Sequence, residues 1–224
     1  MEKESKEIMV AAHAGCMNTQ LDSLSSIEVA LKYPISIVEL DVRFFKNGCP
    51  VLSHDPIDED KSDYISLDEA LKVLSPYKQV SVNLDMKELS EISIIKRLLE
   101  KYDMMERSFL TGIEFKQMEN VKHIGIPYYV NFHLDDLKYQ DADYVRNIRD
   151  EICSTDALGI NLNYKEVTPM LVDLFHESGR LVSVWTVDEE TEMNRLIKLG
   201  VDSITTNEIE ILLNKLKKRE YKIA

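Results

Sequence analysis

Eight short apolar runs, each followed by a stretch with helical periodicity, set the tightest limit on what this 224-residue chain can fold into. The runs lie near Ile8–Ala14, Ile37–Val42, Val80–Lys87, Phe109–Gly112, Tyr128–His133, Leu158–Asn163, Leu181–Val187 and Ser203–Thr206. The helical stretches are Leu24–Lys32, Leu67–Leu74, Glu91–Tyr102, Glu114–Val121, Asp143–Ile152, Pro169–Glu177, Glu190–Leu199 and Glu208–Lys217. Short strands alternating with helices build βα units around a parallel sheet. Eight such units in this length predict an α/β fold: a compact (β/α)8 TIM barrel forming a single domain over residues 1–224, near the lower size for that architecture. An open doubly wound sheet is the competing arrangement. Its nucleotide-binding form lacks support, because none of the seven glycines falls in a G-x-G-x-x-G or P-loop pattern.

Local chemistry agrees with this reading. Ser66 before Leu67-Asp68-Glu69 and Thr168 before Pro169 can cap free amides at helix starts, and Gly179 and Gly200 stand where helices should stop. Val51-Leu52-Ser53-His54 breaks the rhythm. Following the turn-like Lys46-Asn47-Gly48, it reads as a hairpin arm that extends the second strand.

A net charge of −13 excludes a broad nucleic-acid footprint, which needs clustered Lys and Arg, so an anionic substrate must be captured locally. Met1 to Glu7 is charged and polar, and no run approaches the roughly 18 apolar residues of a membrane span. The expectation is a cytoplasmic protein without integral membrane association. Cys16, Cys49 and Cys153 are odd in number and lack C-x-x-C spacing, which reads as free thiols.

In a TIM barrel the site lies at the C-terminal ends of the strands. His13 ends the first run, Glu39 and Asp41 lie at alternate positions of the second, and Asn83, Asp85 and Lys87 share a face of the third. Glu39, Asp41 and Asp85 would repel one another unless neutralised. A hard divalent cation with oxygen ligands, Mg²⁺ or Ca²⁺, does that most simply. His13 and His54 flank this acidic strand and are candidates for proton transfer. Trp185, the single tryptophan, stands at a strand end where it can form an apolar wall beside a substrate or simply pack in the upper barrel. Asn131 and His133 share a face at another strand end and form a second tier. His123 and His176 lie on helical stretches and read as structural or surface residues.

Several segments, in this order, resemble the motifs of the glycerophosphodiester phosphodiesterase family. They are His13-Ala14-Gly15, Val38-Glu39-Leu40-Asp41-Val42, Asn47-Gly48-Cys49-Pro50-Val51, His54-Asp55, Ser66-Leu67-Asp68-Glu69-Ala70-Leu71, Asn83-Leu84-Asp85-Met86-Lys87, Val184-Trp185-Thr186-Val187-Asp188 and the closing Leu199 to Asn207. The resemblance implies a TIM barrel, a divalent metal on Glu39, Asp41 and Asp85, acid and base roles for His13 and His54, and a phosphate contact from Lys87. It also implies a small phosphodiester substrate. In the family's scheme a hydroxyl beside the phosphate attacks it, one histidine protonates the leaving alcohol, and water opens the cyclic phosphate.

The chain departs from that pattern in four places. Ala14 stands where the family has an arginine, Asp85 where it has a glutamate, and Leu21 replaces the glutamate before the first helix. Only a short segment joins His54-Asp55 to the helix at Leu67, whereas the family carries a long insertion over the substrate there. Losing the arginine's charge-assisted contacts removes a few kcal/mol of phosphate binding, on the order of 1.5–3 per bond. Two alternatives to glycerophosphodiester hydrolysis therefore stay open: a weak or inactive barrel that binds a phosphorylated ligand, and a phosphodiesterase for a lysophospholipid or cell-wall glycerophosphate.

Overall fold

Each expected run becomes a strand in the computed structural model, which describes residues 7–135 and 138–223. The charged start of the chain, residues 1–6, lies outside the described residues. The strands and helices follow in order: β1 (Met9–Ala12), α1 (Leu24–Ala30), β2 (Ile37–Phe45), β3 (Cys49–Leu52), α2 (Leu67–Leu74), β4 (Ser81–Met86), α3 (Ile92–Lys101), β5 (Ser108–Ile113) and α4 (Met118–Val121). They continue as β6 (Tyr128–Asn131), α5 (Ala142–Cys153), β7 (Gly159–Asn163), α6 (Pro169–Glu177), β8 (Leu181–Trp185), α7 (Glu190–Leu199), β9 (Ser203–Thr206) and α8 (Ile209–Ile223). The order β1-β9-β8-β7-β6-β5-β4-β2 closes through a parallel β1–β2 pairing. The result is a closed eight-stranded parallel barrel with its helices outside, a single compact α/β TIM barrel.

β3 is the hairpin arm read from the sequence. β2 runs past the barrel after Val42, turns through the 3₁₀ segment Lys46–Gly48, and pairs antiparallel with β3 from Val42↔Leu52 to Phe45↔Cys49. The returning chain then delivers Ser53, whose amide donates to the Asp41 carbonyl at 3.1 Å, and His54 follows at the rim.

Apolar faces of strands and helices meet in one core between sheet and helix ring, with Leu40, Leu67, Leu71, Ile95, Leu110 and Phe175 fully buried. Inside the barrel, polar side chains take several places where branched apolar residues are usual. Ser203 donates to Ser183 (2.7 Å), Asn161 to Asn131 (3.1 Å), and the Thr111 hydroxyl lies between Asn83 Oδ1 (2.9 Å) and Asp85 Oδ1 (2.8 Å), so these groups find their polar partners within the barrel. Helix starts behave as expected. Ser66 and Glu69 form a reciprocal capping box on α2, and Thr168 caps α6 ahead of Pro169. The predicted Glu114–Val121 helix is shorter than expected: a 3₁₀ turn at Phe115–Gln117 precedes the single turn of α4.

Candidate active site

β2 and β4 lie side by side in register, so Glu39 faces Asn83 and Asp41 faces Asp85. Alternation aims all four toward the barrel axis at its C-terminal end. Ligand oxygens of Glu39, Asp41 and Asp85 come within 4.8 Å of one another. Glu39 and Asp41 are almost fully buried. Burial, and then the charges of Asp41 and Asp85, push the Glu39 carboxyl well above the usual carboxylate range. One Glu39 oxygen accepts the Ala14 amide at 2.9 Å, and Asp85 Oδ1 accepts the Thr111 hydroxyl at 2.8 Å. Asp41 Oδ2 is buried without a protein partner. Crowded hard oxygens, one of them orphaned, are a donor set that fits a divalent cation.

Lys87 follows β4 directly. Its ammonium lies 2.7 Å from Asp41 Oδ1 and also donates to Asp85 Oδ2. Burial acts to lower its pKa, but Asp85 and Asp41 outweigh that and hold the ammonium above its usual range. Lys87 is thus anchored on the carboxylates, not extended as an isolated cation.

A bulge supports Asp85 from behind. The β5–β6 register slips between Leu110 and Ile113, and Gly112 sits there with φ of 74°. A Cβ at Gly112 would come 2.3 Å from the Met86 carbonyl oxygen and 3.0 Å from Asp85 Oδ1, so the closeness of β5 to this carboxylate requires glycine. The Gly112 amide donates to Asn131 Oδ1 at 2.8 Å, which is where one second-tier residue is used.

His13, Glu39, Asp41, His54, Asp85, Lys87 and Trp185 all line one cavity of about 810 Å³ at this rim. His13 lies immediately beyond β1, with Nδ1 3.0 Å from Asn207 Oδ1. His54 Nδ1 lies 3.1 Å from Asp55 Oδ1. Trp185 ends β8, meets the His133 ring edge-on at 6.0 Å between centroids, and keeps its Nε1–H without a protein acceptor. Phe115 and Phe132 extend this apolar side of the cavity. His176, as expected, is structural: its Nε2 pairs with Asp202 Oδ2 at 2.8 Å, away from the cavity.

Asp22 escaped the sequence reading. It sits at φ of 55° just before α1 and accepts the His54 amide at 2.8 Å. Burial, opposed by that hydrogen bond and assisted by Asp41, pushes its carboxyl up to about 6. The left-handed backbone brings Asp22 to a partner 32 residues away, and no periodicity announces such a contact.

Such a closed parallel barrel, with its polar side chains gathered at the C-terminal rim, belongs to the TIM-barrel class of enzymes. The profile of the glycerophosphoryl diester phosphodiesterase family matches residues 13–135 and 107–211, nearly the whole chain. The chain belongs to this family, and is a phosphoric diester hydrolase. A glycerophosphodiester phosphodiesterase of Caldanaerobacter subterraneus subsp. tengcongensis is 22% identical, over 95% of this chain and 99% of its own. Among solved structures, a Silicibacter pomeroyi protein assigned as a glycerophosphoryl diester phosphodiesterase superposes with a TM-score of 0.82 at 16% identity, covering 97% of this chain and 95% of its own. An Oleispira antarctica phosphodiesterase, solved with its product sn-glycerol-3-phosphate, superposes with a TM-score of 0.76 at 18% identity, covering 93% of this chain and 96% of its own.

Proposed function

We propose that this single barrel domain hydrolyses a glycerophosphodiester, or a closely related small phosphodiester, to an alcohol and glycerol phosphate, using a divalent cation and two histidines. The observation that carries the reading is the Glu39, Asp41 and Asp85 cluster on the same cavity as His13 and His54. The product bound to the Oleispira antarctica relative supports the glycerol phosphate half of the substrate.

Glu39, Asp41 and Asp85 would hold Mg²⁺ or Ca²⁺, which when bound would polarise the phosphoryl oxygen and offset charge developing there. Lys87, whose ammonium is held on Asp41 and Asp85 at the edge of the cluster, would turn to the phosphate of a bound substrate. It takes over part of the role of the arginine that Ala14 lacks. His13 and His54 exchange protons with the attacking and leaving oxygens. Trp185, with Phe115 and Phe132, presents an apolar wall to the alcohol. No helix among the described residues is long and apolar enough to cross a membrane.

The test is a panel of glycerophosphodiesters, lysophospholipids and glycerophosphate polymers, with products identified by mass spectrometry in Mg²⁺ or Ca²⁺. Glycerol phosphate release that disappears in His13→Ala and Glu39→Ala is expected. Tight binding of the panel without product in any metal would contradict the reading.

A further inference from the structure

Resting on the proposed phosphodiesterase chemistry, we infer that Asn207 is a positioning residue that fixes His13 as the proton acceptor and thereby leaves His54 as the proton donor. β1 and β9 close the barrel with Ala12 opposite Thr206, so the residues just beyond them, His13 and Asn207, are neighbours across the seam. The His13 amide donates to the Thr206 carbonyl at 3.1 Å, which sets the start of the His13 side chain. His13 Nδ1 then lies 3.0 Å from Asn207 Oδ1.

An amide can present either its oxygen or its NH₂ to a ring nitrogen, and Asp188 decides which. Asp188 Oδ2 takes the Asn207 Nδ2 donor at 2.9 Å, while Asp188 Oδ1 accepts the Asn207 backbone amide at 2.8 Å and the Thr206 hydroxyl at 3.1 Å. A carboxylate only accepts, so the group facing it is the NH₂, and the oxygen is left for His13. His13 Nδ1 must therefore carry the hydrogen, and in the neutral ring Nε2 is the open acceptor. His54 has a different companion. The Asp55 carboxylate lies 3.1 Å from its Nδ1, and with His13 committed to accepting, His54 is the one of the two proton-transfer histidines of the cavity left to donate.

The proton inventory then closes. A hydroxyl beside the phosphate forms its bond to phosphorus and passes its proton to His13 Nε2, while the bond to the departing alcohol breaks and that oxygen takes the Nε2 proton of His54. Water then attacks the cyclic phosphate, giving its proton to His54, and the oxygen released by ring opening recovers the proton held on His13.

Nitrogen-15 NMR of the histidine rings in the full chain tests this, with the His13 signals identified by their loss in His13→Gln. Measured where the ring is neutral, the unaltered protein is expected to show His13 protonated on Nδ1. Asn207→Asp, which keeps an acceptor, retains that tautomer; Asn207→Leu reverts to Nε2 protonation, the form free imidazole side chains prefer. With it, kcat falls on the order of 10²- to 10⁴-fold while KM moves little. A neutral His13 carrying its proton on Nε2 in the unaltered protein, or an unchanged tautomer in Asn207→Leu, overturns the assignment. Because the tautomer is read without substrate, absence of turnover would count against the phosphodiesterase reading alone.

Discussion

Asp41 and Asp85 are register partners on adjacent parallel strands, and one ammonium, that of Lys87, touches both. This pair and Glu39 concentrate negative charge in a place where burial makes it costly. Replacing Glu39 with Gln keeps the shape and removes a charge. Calorimetry should show Mg²⁺ or Ca²⁺ binding lost, while the metal-free protein melts higher, by about 2–4 °C for each kcal/mol of relieved repulsion. A lower melting temperature with metal binding retained would show that Glu39 serves packing instead.

His13→Gln and His54→Gln should each lower kcat on the order of 10²- to 10⁴-fold. Metal affinity should stay close to that of the unaltered protein, because neither ring belongs to the carboxylate cluster. Parallel turnover and metal titrations separate loss of proton transfer from loss of the cation.

Asp22 gives a pH dependence with a definite sign. Its carboxyl titrates at about 6 in the fold, against an ordinary value of 3.8, mainly because of burial. The folded form therefore holds the proton more tightly than the unfolded chain. The associated stabilisation is full below about pH 4, is lost as pH rises toward about 6, and stays lost above. Asn at this position keeps an oxygen for the His54 amide without a charge. Thermal melts from pH 4 to pH 7 should show Asp22→Asn gaining on the unaltered, metal-free protein as pH rises, whereas Asp22→Ala leaves the His54 amide without its acceptor and lowers kcat.

Gly112→Ala should cost about 1–3 kcal/mol in denaturant unfolding, from left-handed backbone and contact with the Met86 carbonyl. The new methyl also crowds Asp85 Oδ1, so metal affinity should fall with stability. A neutral effect on both would mean that the bulge can relax away from β4.

Much of this was legible because of simple periodicities. Buried parallel strands read as apolar runs, and Glu39 with Asp41 broke one such run at alternate positions, where only a site justifies the cost. His54 was placed correctly as soon as Val51 and Leu52 were read as a returning hairpin arm. The pairing of Ser183 with Ser203 and of Asn161 with Asn131 was less visible, since each residue finds its partner on another strand. Asp22 depended on a left-handed turn, and the Asp188–Asn207–His13 chain on barrel closure between residues 194 positions apart. Lys87 was legible as an ammonium sharing the rim with the carboxylates and as a phosphate contact, but its direct bonds to Asp41 and Asp85 depend on the register between two strands.

The central claim, that hydrolysis at this rim runs through a cation on Glu39, Asp41 and Asp85, is tested most directly by glycerol phosphate release during metal titration of chelator-stripped protein. Turnover that is absent without metal, saturates with added Mg²⁺ or Ca²⁺, and fails to recover in Asp41→Asn is the expected result. Turnover in chelator equal to that in metal, or full activity in Asp41→Asn, would contradict it.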